Sequence, residues 1–231
     1  MTEGVDLDGE LRRVDPDRWL ASRFIADPRR RADVVALYAF DHELARAAAV
    51  ASNPLMAEIR LAWWREAVEE IFAGGAVRRH PTAEALAGAV RQASLPHAPF
   101  EAMIEARIAA LETPTLEAPA ALAWAGATQG SLGRLAALVL GAGETAAGAE
   151  AAGIVWGLVL LRRAGNVQGP EFDAGLREAL ANARRAARAL PPTAFPAVLC
   201  ATLARADLRT ATTSEIEKRL RLTWAALTGK L

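Results

Sequence analysis

The stretch Leu37-Tyr38-Ala39-Phe40-Asp41-His42-Glu43-Leu44-Ala45-Arg46 decides how this chain is read. Leu37, Phe40 and Leu44 recur at i, i+3 and i+7, the spacing of one apolar face on a helix. The punctuation around the stretch agrees. Asp27-Pro28 pairs a cap with a proline at the first helical position, Asn53-Pro54 repeats the device, and Pro81 opens another helix. Gly74-Gly75, Pro114, Pro119 and Pro191-Pro192 are stops. Alanine, leucine, arginine and glutamate dominate, and no run of alternating β-branched residues supports a strand. The pattern predicts helices over residues 16–25, 28–50, 54–73, 81–93, 99–112, 119–141, 144–164, 171–189, 193–207 and 214–228. The segments 131–141 and 151–161 are apolar on most sides, which places them in the middle of a bundle. The expected fold is all-α: about ten helices in a single domain over residues 15–231, after an N-terminal extension of residues 1–14.

The 231 residues are 52% hydrophobic, enough for one substantial core. The 27 basic and 27 acidic side chains balance, so no global field draws the chain to nucleic acid. Cys200 is the only cysteine, which excludes an intramolecular disulfide and fits a reducing compartment. The acidic opening residues lack the apolar region of a secretory signal. The longest uncharged apolar stretch, Ala151 to Leu161, is too short for a transmembrane segment, which needs about 20 residues. The expected location is cytoplasmic, with peripheral membrane contact left open.

Local chemistry is sparse. His42 could act as an acid or base, yet a histidine without a partner is more often a hydrogen-bonded structural residue. In Arg60-Leu61-Ala62-Trp63-Trp64-Arg65-Glu66 the adjacent tryptophans diverge by about 100°, so at most one can face the centre squarely. Glu66 with Glu70, and Glu101 with Glu105, are i, i+4 carboxylate pairs. Facing one another they could hold magnesium; as charged stripes they are solvated helix faces. The three histidines and Cys200 lack metal-ligand spacing, and no phosphate-cradling loop or nucleophile elbow occurs. The patch Gly130-Ser131-Leu132-Gly133 suits a close helix approach.

In order and spacing, these strings resemble the squalene/phytoene synthase family, with its isoprenoid synthase fold. They are Asp15-Pro16-Asp17-Arg18-Trp19-Leu20, Leu37-Tyr38-Ala39-Phe40, and Glu58-Ile59-Arg60-Leu61-Ala62-Trp63-Trp64-Arg65. Further on come Thr128-Gln129-Gly130-Ser131-Leu132, Gly153-Ile154-Val155-Trp156-Gly157-Leu158, and Arg219-Leu220-Arg221-Leu222-Thr223-Trp224. The resemblance implies a central cavity in which two DxxxD motifs bind magnesium and stabilise a departing diphosphate. The chain departs from it at both places. The first motif would fall on Ala45-Arg46-Ala47-Ala48-Ala49, and after Glu43 the next acid is Glu58. The second would fall on Arg163-Ala164-Gly165-Asn166-Val167-Gln168, and no acid occurs between Glu150 and Glu171.

Asp41-His42-Glu43-Leu44-Ala45-Arg46 is similar to one branch of the family, the mitochondrial complex I assembly factor and its alphaproteobacterial relatives. That likeness implies a catalytically inactive accessory protein near the inner membrane, with no catalytic or metal-binding residue and no cofactor. Its partner would be a protein or a prenyl lipid. The candidate ligand contacts are Tyr38, Phe40, His42, Arg46, Arg60, Trp63, Arg65, Trp156 and Arg162. The alternative is an active prenyltransferase that uses Mg2+ on the glutamate pairs.

Overall fold

The computed structural model describes residues 6–49, 53–113, 115–167, 169–204 and 214–231. Eleven α-helices and no strand occur among them: α1 (Leu7–Val14), α2 (Pro16–Ser22), α3 (Pro28–Ala49), α4 (Pro54–Phe72), α5 (Pro81–Ala93), α6 (Ala98–Ala109), α7 (Ala118–Ala125), α8 (Ser131–Val139), α9 (Ala147–Arg163), α10 (Pro170–Ala186) and α11 (Glu215–Thr228). Proline stands in the first turn where expected, and Asn53 caps α4 by accepting from the Met56 N–H at 2.9 Å.

The centre of the bundle is α9, packed against α7, α8, α10 and the 3₁₀ helix Pro192–Leu203. With the short turn before it, α9 forms one run, Gly143–Arg163, long and apolar enough by length and composition to cross a membrane; most of that run is buried in the bundle. Packing accounts for its apolarity. Backbone-to-backbone contact draws α8 and α9 together. A Cβ on Gly153 would stand 2.0 Å from the Gln129 carbonyl oxygen, and one on Gly133 would stand 2.5 Å from that of Ala149. Only glycine fits at either crossing.

Six expected helices differ in detail. The helix predicted over 16–25 ends at Ser22, and the chain leaves it through i→i+3 bonds from the Arg23, Phe24 and Ile25 N–H groups. Those at 99–112, 144–164 and 171–189 each tighten into a 3₁₀ turn at one end. The helix predicted over 119–141 is interrupted by a π turn at Gly126–Gly130. The α-helix predicted over 193–207 is instead the 3₁₀ helix Pro192–Leu203, with Pro196 inside it. That proline has no N–H to donate and its ring collides with an α-helical turn. Residues 205–207 lie outside the described residues. Within residues 1–14, α1 packs on α2 and α3 through the buried Leu11.

Candidate functional site

At the heart of the bundle lies one carboxylate. Asp41, on the inward face of α3, accepts 2.7 Å from the Arg18 guanidinium of α2 and accepts from that of Arg107 on α6. Gln129 of the π turn donates its Nε2 to both oxygens, at 3.1 and 3.0 Å. All four side chains are buried. Burial opposes ionisation of Asp41, but Arg107, Arg18 and the Gln129 amide more than offset it and bring its pKa down to about 2.

The two arginines fare differently. Burial also opposes the charge on Arg18, yet Asp41 and Asp15 (3.4 Å away) outweigh it and raise its pKa. For Arg107 burial outweighs the pull of Asp41, and Arg18 repels it further, so its pKa falls. One carboxylate shared between two cations serves Arg107 less well. Its guanidinium still donates to the Met103 carbonyl at 3.2 Å and lies 5.8 Å from the Trp124 ring. It stays charged in any case, as guanidinium does in proteins.

Beside this cluster the bundle is nearly solid. A cavity of about 20 Å³ remains, lined by Arg18, Tyr38, Gln129, Trp156 and Cys200 among others; that is space for roughly one water. Burial raises the pKa of both the Tyr38 phenol and the Cys200 thiol, keeping them protonated. Asp17, also buried, takes Arg163 at 3.1 Å and Lys218 at 3.0 Å, tying α2 to α9 and α11, and Arg163 lies 5.0 Å from the Trp156 ring. The first motif's positions Ala45 and Ala49 are exposed; in the second stretch Arg163 and Ala164 are exposed, Val167 is buried, and Gln168 lies outside the described residues.

An open groove of about 310 Å³ runs along the outer end of α3, lined by Glu43, Arg46, Ala47, Arg60, Trp63, Trp64 and His80. Trp64 is buried and meets Phe40 edge-on at 5.5 Å. Trp63 is half-buried and meets Trp64 at 4.9 Å and His80 at 5.7 Å. Trp64 therefore serves both the core and the groove, and Trp63 the groove. Arg46 is held 2.7 Å from Glu43, while Arg60 is exposed at the rim.

The structure thus divides the nine expected ligand contacts. Tyr38 and Trp156 meet at the small central cavity, and Arg46, Arg60 and Trp63 meet at the groove. Phe40 is wholly buried between Trp64 and Phe100. His42 lines a void of about 10 Å³ against α1 and α5. Arg65 is held by Glu105 and, at 3.1 Å, by Glu101; Arg162 is held by Asp173 of α10.

The glutamate pairs do not face one another across a cavity. Arg78 bridges Glu66 and Glu70 at 2.7 and 2.9 Å, as Arg65 bridges Glu101 and Glu105. Glu69, His97 and Glu101 form the one trio among the described residues whose atoms lie close enough to hold a metal. It sits on the half-exposed flank of α4 and α6, and Glu101 already takes Arg65. Magnesium prefers a site of free oxygen ligands, and neither the exchanged motifs nor the bridged pairs offer one. The residues present do not fit the family's metal centre.

Helices wrapped round α9, with a polar centre between α2, α3 and α6, define the isoprenoid synthase type of all-α fold. The family described as Squalene/phytoene synthase matches residues 11–165, and the chain belongs to it. Its fold is similar to that of squalene synthase HpnC from Alicyclobacillus acidocaldarius (17% identity, TM-score 0.72, 89% of this chain and 91% of that one). It is also similar to a dehydrosqualene synthase in complex with ligand (13% identity, TM-score 0.74, 94% and 93%). No curated protein sequence matches the chain.

Proposed function

We propose that this chain is a non-catalytic member of the squalene/phytoene synthase family, acting as an accessory protein. The observation that carries the reading is the centre of the bundle. A departing diphosphate needs facing carboxylates that hold divalent cations; here one aspartate is consumed by two arginines and a glutamine, beside a cavity of about 20 Å³. The arginines that bridge all four glutamates of the two surface pairs speak against the alternative prenyltransferase.

Binding then falls to the groove. Its volume of about 310 Å³ lies within the range of small-molecule sites, about 300–1,000 Å³. Trp63 and Trp64 offer an apolar wall, and Arg46 and Arg60 offer charge at the rim, a combination that suits a prenyl lipid with an anionic head. The broader role, assisting assembly of a respiratory enzyme at the inner membrane, rests on the likeness of Asp41-His42-Glu43-Leu44-Ala45-Arg46 to the assembly-factor branch.

The test has two arms. Incubated with magnesium and farnesyl or geranylgeranyl diphosphate, the protein releases no pyrophosphate above background; release that Glu66→Ala abolishes would overturn the reading. Lipid extracted from the purified protein contains a prenyl species, which the Trp63→Ala variant loses. An identical lipid content in both proteins would remove the groove from the account.

A further inference from the structure

The last helix carries apolar residues on both sides. α11 buries Leu222 and Ala225, packing against the 3₁₀ helix Pro192–Leu203 and α2. Ile216, Leu220, Trp224 and Leu227 point away from the bundle and are 71%, 66%, 69% and 79% exposed. At about 100° per residue these four fall within an arc of about 80°, along roughly 16 Å of helix. Eight large hydrophobic side chains are exposed among the described residues, and half of them lie on this stripe. Such concentration differs from the scattered exposure that is normal on protein surfaces.

The charges beside the stripe favour one kind of partner. Glu215 is neutralised by Lys218 at 2.9 Å, and Glu217 by Arg221 at 2.6 Å. Arg219, about 60° round the helix from Ile216, and Lys230, just beyond the last turn, are exposed and make no ion pair among the described residues. An apolar ridge with a tryptophan at one edge and uncompensated cations beside it matches an interfacial helix, which lies in the plane of a bilayer and draws on anionic headgroups. A second copy fits less well, because a two-fold antiparallel pairing would set Arg219 of each helix on the same side, cation beside cation.

We propose that α11 docks this protein on an anionic lipid surface. Ile216, Leu220, Trp224 and Leu227 enter the boundary between headgroups and acyl chains, and Arg219 and Lys230 meet lipid phosphates. The docking does not depend on whether the centre turns over a substrate, so either reading can fail without the other.

The experiment is co-sedimentation of the full chain with phosphatidylcholine vesicles and with vesicles in which about a third of the lipid is phosphatidylglycerol. Binding to the anionic vesicles is expected to be about tenfold or more tighter, and to weaken as salt is added. Leu220→Ser/Trp224→Ser removes binding and leaves the thermal melt unchanged, since neither side chain is in the core. Arg219→Glu/Lys230→Glu brings anionic vesicles down to the level of neutral ones. Equal sedimentation with both vesicle types, or undiminished binding by the serine variant, would overturn the proposal. So would light scattering that shows a dimer which the serine variant converts to monomer, since the stripe would then belong to a second copy.

Discussion

Arginine–carboxylate pairs occur in two regions of this molecule under opposite conditions. In the centre, Arg18 and Arg107 close on Asp41 with all three side chains buried. On the flank of α4, Arg78 and Arg65 each span two glutamates in partial contact with water. The chemical groups are the same and the consequences differ. Water screens and competes for the outer pairs, which contribute little. The inner groups have given up their hydration, so each depends on the others, and removal of Asp41 leaves a buried charge on Arg107 that no other carboxylate among the described residues meets. The outer pairs occupy the two i, i+4 glutamate pairs that the sequence offered as magnesium ligands, and the inner cluster occupies the middle of the fold.

The largest effect should come from breaking the inner cluster. Asp41→Asn leaves the buried Arg107 without a counter-charge and Arg18 with only Asp15, and should cost about 3–5 kcal/mol in urea denaturation; a loss below about 1 kcal/mol would make inner and outer pairs equivalent. Acid probes the same group with its sign fixed. The folded pKa of Asp41, about 2, lies below its ordinary 3.8, so its contribution is complete above pH 4 and disappears as pH falls through 2. That difference corresponds to about 2 kcal/mol. Burial raises the pKa of Asp15, which acts in the opposite direction. The contribution of Asp41 is therefore read as the wild-type stability profile minus that of Asp41→Asn, and a difference flat between pH 5 and 2 would contradict it.

Packing extends the contrast. Gly153→Ala forces a methyl group against the Gln129 backbone and should cost about 1–3 kcal/mol or more. Gly175→Ala, in α10 with nothing within 4 Å of the new Cβ, should instead stabilise by about 0.5–1 kcal/mol. Thermal melts of the two variants moving the same way would be evidence against α9 touching the π turn backbone to backbone. Smallest of all, Arg65→Ala should change stability by less than about 1 kcal/mol, and a larger loss on chemical denaturation would mean that the outer network is cooperative.

The starts of α3, α4 and α5 were legible because proline fixes the first turn, and Asp27 and Asn53 cap α3 and α4 locally. That only one of Trp63 and Trp64 is buried followed from their 100° divergence. The site was harder to read. Asp41 lies on the same apolar face as Leu37 and Leu44, and Arg107 follows Phe100, Met103 and Ile104 on the buried face of α6. A lone acid on one apolar face and a lone base on another were the available signal, but their meeting depends on how α3 and α6 cross. Arg18 and Gln129 stood in strings that marked the family, with nothing local to show they would converge. The α1 helix was missed because its eight residues bury one leucine, too little for a periodic pattern. The 3₁₀ helix and the π turn escaped because composition rewards helix in general, without distinguishing how tightly it is wound.

The π turn carries a consequence for the centre. At Gly126–Gly130 the Ser131 N–H reaches back five residues to the Gly126 carbonyl, so one more residue is threaded into the turn than an ordinary coil would take. Winding the same residues as an ordinary coil would rotate the upstream and downstream halves by about a quarter-turn relative to each other. Either Ala121 and Ala125 would lose their seat beside α9, or Gln129 would swing off Asp41. A single surplus residue acts here as a phase shifter, letting one continuous rod address two neighbours that no uniformly wound rod could face together.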